Sequence, residues 1–308
     1  MQLIRGLHNA NRVLQGCALT IGNFDGVHLG HQTVLRHLRQ KADELNLPMA
    51  VLLFESQPRE YFMGKNAPAR LMRLRDKIYY LEKAKVDVVI VAKFDRTFAE
   101  QLADVFIEQT LVNHLHVKFL SIGDDFKFGS KRQGNFAMLQ AASKRFGFIV
   151  EDNRSFCLDA QRISSTAIRE ALANDDLQLA ENLLGKPYRI FGRVIHGNKL
   201  GRTIGFPTAN IRLHRQVNPI KGVYAVKVRL KSGEIFNGVA NMGKRPTING
   251  LMQLLEVHLF DFSQNIYGQM VEVEFCHKIR NEIKFPSFDD LKVQIEKDVE
   301  TAKAFFNS

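Results

Sequence analysis

Two histidines three residues apart close a glycine-punctuated segment, Thr20-Ile21-Gly22-Asn23-Phe24-Asp25-Gly26-Val27-His28-Leu29-Gly30-His31. Gly22, Gly26 and Gly30 permit tight turns and a close backbone approach by a ligand. An apolar run precedes the segment and helical spacing follows it, so the histidines fall at a helix start. There, unpaired N–H groups and the positive end of the dipole suit phosphate oxygens. With His28 and His31 both in the first turn, their imidazoles project toward the same space. They can donate to an α-phosphate and stabilise the charge that builds as a nucleophile adds and pyrophosphate departs. Gly22, Asn23, Phe24 and Gly30 are the candidate nucleotide contacts around them. Alone, the string also reads as a glycine turn carrying two histidines.

A second candidate phosphate cradle is Arg162-Ile163-Ser164-Ser165-Thr166-Ala167-Ile168-Arg169. Ser164, Ser165 and Thr166 put hydroxyls and backbone amides at another helix start, and the Arg169 guanidinium can hold pyrophosphate oxygens. By itself this is an ordinary Ser/Thr cap; beside the histidine pair it favours nucleotide chemistry. A third string is Gly201-Arg202-Thr203-Ile204-Gly205-Phe206-Pro207-Thr208-Ala209-Asn210. Gly201, Thr203 and Gly205 belong to a loop that could wrap phosphates. Thr208 and Asn210 offer neutral oxygens to Mg²⁺, which takes few protein ligands when nucleotide phosphates and water complete its shell. In isolation this too reads as a Gly/Pro turn. Neither GxxxxGK[ST] nor GxGxxG occurs, so no competing nucleotide fingerprint is present.

The elements that must position these residues follow from apolar patterning. Runs at 17–21, 49–54, 86–92, 117–122 and 147–151 read as buried strands, with helical spacing near 31–45, 70–84, 100–114 and 134–146. Strands separated by such helices imply right-handed crossovers and a parallel sheet. Ligands of such sheets bind beyond the carboxyl ends of the strands, which points to the loops after 17–21 and 117–122. One helix is expected from about Ser165 to Leu184, stopped by Gly185 and Pro187. Beyond it, β-rich segments at 188–196, 222–230, 235–241, 254–262 and 270–279 lack intervening helices and imply an antiparallel barrel or sandwich. Lys231-Ser232-Gly233-Glu234 reads as a hairpin turn. Ser287 to Phe306 reads as an amphipathic helix with Leu291, Ile295, Val299, Ala302 and Phe306 on its inner stripe. Glu272 and Glu274 alternate on a strand and read as structural.

At 308 residues, 45% hydrophobic and 24% charged, the chain is too apolar for disorder and too polar for a membrane protein. Its length suggests two domains at roughly 150 residues each. The longest nearly apolar run, Val86 to Ala92, contains Asp87 and cannot cross a hydrocarbon layer about 30 Å thick. Met1 to Thr20 has no export pattern. Three scattered cysteines without CxxC spacing argue against a disulfide framework or zinc site and fit a reducing cytoplasm. The net charge of +11 favours anionic partners, and by itself leaves nucleic acid and phosphorylated metabolites both open.

HxGH near the N-terminus with ISSTxIR after the last strand resembles the Rossmann-like nucleotidyltransferase superfamily. The fuller string Gly22 to His31, and Ile122-Gly123-Asp124-Asp125-Phe126-Lys127-Phe128-Gly129, resemble the N-terminal module of the bacterial bifunctional riboflavin kinase/FMN adenylyltransferases. Leu53 to Pro58 departs from that family's pattern, with Ser56 where proline is common. In the second half, GFPTAN, Lys221 to Ala225, Gly238 to Thr247 and Ile279 to Glu282 are similar to its riboflavin kinase module, in order. The resemblance implies an α/β nucleotidyltransferase domain over 1–185 and an all-β six-stranded Greek-key barrel with a C-terminal helix over 186–308. It implies a flavin beside Asp125, Phe126 and Phe128, and Glu256, in Glu256-Val257-His258-Leu259-Phe260-Asp261, as general base for a ribityl hydroxyl. Riboflavin, FMN, FAD and ATP are the expected partners, with Mg²⁺ required and neither nucleic acid nor membrane involved.

Overall fold

Cys17-Ala18-Leu19-Thr20-Ile21 forms a strand in which every residue is buried, as a sheet covered on both faces demands. The computed structural model describes residues 1–123, 125–153, 157–158, 161–197, 205–213, 217–247 and 250–308. The chain divides into two compact units, Met1–Pro68 with Met72–Ser165 and Ala69–Leu71 with Thr166–Ser308.

In the first unit β1 (Gln2–Arg5), β2 (Cys17–Ile21), β3 (Met49–Glu55), β4 (Val88–Lys93), β5 (Val117–Gly123) and β6 (Ile149–Asn153) form a sheet in the order β1-β4-β3-β2-β5-β6. Every neighbouring pair is parallel. Between and around the strands run α1 (Leu7–Ala10), α2 (Leu29–Glu44), α3 (Pro58–Met63), α4 (Leu74–Lys83), α5 (Arg96–Ala99), α6 (Ala103–Val105) and α7 (Phe136–Phe146); α6 continues as a π-helix over Phe106–His114. Alternate strand residues enter two different cores: Leu19, Leu52, Ile90 and Leu120 in one, Ala18, Val51, Val89 and Phe119 in the other. The winding reverses between β2 and β5, so the two loops singled out by the sequence leave the sheet at its switch point. The strand β1 escapes the sequence pattern because it has four residues, of which only Ile4 is buried.

A two-residue pairing of β7 (Cys157–Leu158) with β8 (Gln161–Arg162) precedes the next helices. The expected single helix over 165–184 is two, α8 (Ser165–Ala173) and α9 (Leu177–Leu184). Asn174-Asp175-Asp176 breaks it. Asp175 lies at φ 61°, and the Asp176 carboxylate accepts from the Leu179 N–H at 2.8 Å, a local bond that competes with helix continuation. Gly185 ends α9 at φ 71°, as its type predicts.

The barrel closes from β9 (Arg189–Ile195), β10 (Ala209–Arg212), β11 (Gly222–Arg229), β12 (Ile235–Thr247), β13 (Gly250–Leu259) and β14 (Met270–Arg280), in the order β10-β13-β12-β11-β14-β9. All pairs are antiparallel, and β10 returning beside β13 of the β11-β12-β13 meander is a Greek key. The turn at 231–234 joins β11 to β12 as expected. Two strands differ most from the apolar pattern: β12 runs on to Thr247, and β13 starts at Gly250 and ends at Leu259. Helix α10 (Phe288–Asn307) starts where Ser287 accepts from the Asp290 N–H at 3.1 Å. Ala302 is buried, and Val299 and Phe306 pack on the same core.

Candidate active sites

The loop from β2 to α2 is held in an unusual backbone shape. Phe24, Gly26 and Val27 have φ of 45°, 95° and 41°, a conformation a β-branched residue such as Val27 adopts only when its surroundings impose it. The restraints are specific. The buried Asp25 carboxylate accepts from the Met72 N–H at 3.0 Å, and the Asp25 carbonyl accepts from the Ser165 hydroxyl at 2.8 Å. The Lys77 ammonium, on a side chain 2% exposed, donates to the Asn23 carbonyl at 2.8 Å. Gln32 donates to the Val27 carbonyl at 3.0 Å.

His28, 5% exposed, caps α2, its Nδ1 accepting from the His31 N–H at 3.3 Å. The two imidazoles stack with centroids 3.6 Å apart and planes 19° from parallel. Gly30 leaves the room this needs: a Cβ there would stand 3.3 Å from the His28 ring and 3.5 Å from the Ile163 carbonyl. Through its hydroxyl, Ser165, the last residue of the first unit, thus meets the histidine segment. Ser164 and Ser165 are half-buried at the start of α8 and Thr166 is exposed. Arg169 donates from Nε to the Ala69 carbonyl at 2.6 Å.

A cavity of about 800 Å³ opens from Gly22 and Asn23 and is walled by Phe54, Phe62, Phe98, Phe126 and Phe128, among others. Phe126 and Phe128 stack at 5.6 Å, and Phe54 leans on Phe98 at 5.2 Å. Asp125 lines the same cavity, so the three residues assigned to the flavin by resemblance lie together. Phe54, Phe62 and Phe98 were not read from the sequence. The one signal was Glu60-Tyr61-Phe62-Met63, an apolar helix end that buries none of its residues and leaves Phe62 68% exposed, which marks a binding surface.

In the barrel, the four-residue β10 begins at Ala209, within the GFPTAN string, and fixes the register of its last two residues. Asn210 stands opposite Glu256 of β13, and Glu256 stands opposite Asn241 of β12. Asn210 is 5% exposed and its Oδ1 is buried with no hydrogen-bond partner among the described residues. Its amide lies on Gly197, where any Cβ would meet Asn210 Nδ2 at 2.3 Å. Two cavities flank this strand pair. One, of about 290 Å³, holds Glu256, Asn241 and His258 beside Phe206 and Phe285; the other, of about 360 Å³, is lined by Pro207, Ala209, Val257 and Tyr267. Thr208 lines both. His258 Nδ1 sits 2.9 Å from the Pro207 carbonyl and steadies the turn into β10.

Phe288, Leu291 and Ile295 of α10 complete the first cavity. Arg280 fastens that helix through a forked pair with the buried Asp298, Nε to Oδ1 at 2.8 Å and Nη2 to Oδ2 at 2.7 Å. Gly205 is exposed at φ 89°; Gly201 and Thr203 lie outside the described residues. Glu272 and Glu274 pair with Arg189 at 2.8 and 2.6 Å, in keeping with a structural role. Burial pushes the Cys17 thiol up to about 12 and, with Glu274 nearby, Cys276 up to about 11, so both stay protonated and inert. Among the described residues no group of three or more His, Cys, Asp or Glu side chains could hold a metal ion.

A six-stranded parallel sheet with stacked histidines at its switch point, followed along the chain by a closed antiparallel barrel with an appended helix, defines a two-part α/β-plus-barrel protein. A family model described as FAD synthetase matches residues 10–167, and one described as riboflavin kinase matches residues 184–306. The chain is 54% identical over 307 residues to the bifunctional riboflavin kinase/FMN adenylyltransferase of Escherichia coli (strain K12), spanning 99% of this chain and 98% of that protein. To the Bacillus subtilis (strain 168) protein of the same name it is 39% identical over 301 residues, spanning 94% and 92%. A crystal structure described as a macrolide-efflux protein from Streptococcus pneumoniae superposes with TM-score 0.79 at 29% identity, covering 98% of this chain and 99% of that one. Among the described residues here, no helix is long and apolar enough to cross a membrane. The chain belongs to the bifunctional riboflavin kinase/FMN adenylyltransferase family.

Proposed function

We propose that both activities of the family are live in this chain, with residues 186–308 converting riboflavin and ATP to FMN and ADP, and residues 1–185 joining FMN to the AMP moiety of a second ATP with release of pyrophosphate. The observation that carries the kinase reading is the position of Thr208 between two cavities. Riboflavin occupies the one containing Glu256 and aromatic walls, and ATP occupies the other. Glu256 accepts the proton of the ribityl 5′-hydroxyl as its oxygen attacks the γ-phosphorus and ADP departs in line. Thr208 and Asn210 fit Mg²⁺: Asn210 presents a buried amide oxygen without a hydrogen-bond partner among the described residues, its amide seated in the space that Gly197, lacking a side chain, leaves for it. When bound, Mg²⁺ neutralises charge on the nucleotide phosphates. Gly201, Thr203 and Gly205 wrap those phosphates.

Within residues 1–185 the flavin ring enters the aromatic cavity beside Asp125, Phe126 and Phe128, with the FMN phosphate at its Gly22 and Asn23 end. That phosphate is already a nucleophile, so no strong base is needed. An FMN oxygen attacks the α-phosphorus of ATP. His28, His31 and Arg169, with Phe24, Gly30, Ser164, Ser165 and Thr166 around the nucleotide, stabilise the transition state and the leaving pyrophosphate. The net charge of +11 serves these anions, with neither nucleic acid nor membrane as partner, and the cytoplasm is the compartment proposed.

The test is chromatography of riboflavin, ATP and Mg²⁺ incubated with purified protein, in which FMN should form first and FAD follow. Glu256→Gln should abolish FMN formation yet adenylylate supplied FMN. His28→Ala with His31→Ala should do the reverse. Wild-type riboflavin phosphorylation by the first variant, or undiminished FAD synthesis by the second, removes the corresponding residues from the mechanism.

A further inference from the structure

We infer that Asn241 is a substrate-positioning residue of the kinase site, its side-chain oxygen accepting a hydrogen bond from a secondary hydroxyl of the ribityl chain. This rests on reading the barrel as the riboflavin kinase. Asn210, Glu256 and Asn241 are directly opposed across β10, β13 and β12. Directly opposed residues share one face of a sheet, on strands about 4.7–4.9 Å apart. Glu256 is therefore flanked by one amide on each side. Asn210 lies on the side of Thr208, where the metal and phosphates belong. Asn241 lies on the other side.

The Asn241 Oδ1 is buried and has no hydrogen-bond partner among the described residues, and the residue lines the same cavity as Glu256. An amide oxygen shut away from water without a donor is costly, and in native proteins it marks a missing ligand or ion. The ligand must bring a donor. Nucleotide phosphates bring only acceptor oxygens; the cavity's lining combines apolar Val239, Phe206 and Phe285 with polar His258, Arg280 and Glu282, and none of these donates to the Asn241 oxygen. A polyol chain brings O–H groups spaced along a few carbons, so that the terminal one can meet Glu256 while an inner one meets Asn241. The flavin is thus read by its side chain as well as by its ring.

The test uses the full chain carrying Asn241→Ala or Asn241→Leu, the second keeping the side chain's bulk. Both should raise the KM for riboflavin about ten- to a hundredfold, the loss expected for one buried hydrogen bond, with the KM for ATP little moved. Adenylylation of supplied FMN should run at the wild-type rate and report an intact chain. A 10-(5-hydroxypentyl)isoalloxazine keeps the terminal hydroxyl and lacks the secondary ones. The wild type should use it poorly, and neither substitution should worsen it by more than about twofold, because the interaction is already gone. Unchanged riboflavin KM in both variants, or an equal loss on the analogue, overturns the assignment. If Glu256→Gln also phosphorylates riboflavin normally, the kinase reading itself falls; if Glu256→Gln is inactive while both Asn241 variants behave as wild type, only this inference does.

Discussion

Lys77 spends its charge out of sight, 2% exposed, with its ammonium on the Asn23 carbonyl of the loop from β2 to α2. Lysines are almost never buried unless paired, and this one braces a loop whose backbone lies at positive φ in three places. Lys77→Met should lower kcat/KM for FMN adenylylation about tenfold or more, since small misplacements of reacting groups cost that much. Riboflavin phosphorylation by the same polypeptide should be unchanged, and a variant that adenylylates FMN at the wild-type rate removes the brace from the account. His28 and His31 were legible from spacing because a helix N-terminus is local geometry. Lys77 was not, because its contact reaches 54 residues back along the chain. The aromatic cavity was hidden for the same reason, its Phe54, Phe62 and Phe98 coming from three separate elements.

Helix α10 illustrates what an element adds to its residues. Its apolar stripe was legible at helical period: Val299, Ala302 and Phe306 pack on the barrel core as expected, while Leu291 and Ile295 line the cavity beside Glu256. The buried Asp298 within it was not, because a carboxylate on the inner face makes sense only once Arg280 of β14 is known to meet it. Asp298 is 5% exposed and Arg280 19%, so removing the acid leaves a cation that water can partly reach. Asp298→Ala should therefore cost about 2 kcal/mol, below the full penalty for a buried pair, and should raise the KM for riboflavin by loosening the cavity wall. Urea unfolding and the kinase assay check the two effects separately. The split between α8 and α9 follows the same logic. Helical periodicity continued across 174–176, but Asp176 gains more as a cap than as an interior residue. Asp176→Ala should lose about 1 kcal/mol. In the barrel, β10 escapes the apolar pattern because its four residues follow closely on Gly205 and Pro207 and carry little periodicity; only pairing with β9 and β13 makes them a strand.

The two units, taken each by itself, should answer alkali differently. In the first, burial raises Cys17 from 9.0 to about 12. Unfolding frees the thiol to ionise from pH 9, so the unfolded state binds fewer protons between 9 and 12 and stability falls as pH rises, by about 1.4 kcal/mol per pH unit for one group. The second unit carries opposing shifts. Cys276 is raised to about 11, and Tyr224, buried and donating to Asp175, is raised above its usual 10.0. Lys186 is lowered from 10.5 to about 8, chiefly by burial. Between pH 8 and 10.5 the unfolded state holds the lysine proton that the folded state has released, so this group makes stability rise with pH. The second unit should then be most stable near pH 9 and lose stability steeply above 10.5, where Lys186 no longer offsets the acids. Urea midpoints followed through each activity, adenylylation for the first unit and phosphorylation for the second, measure the two profiles in one sample. Lys186→Met should remove the rise between pH 8 and 9 in the phosphorylation profile and leave the adenylylation profile where it was. A wild-type phosphorylation midpoint already falling between pH 8 and 9 would contradict the burial of that ammonium.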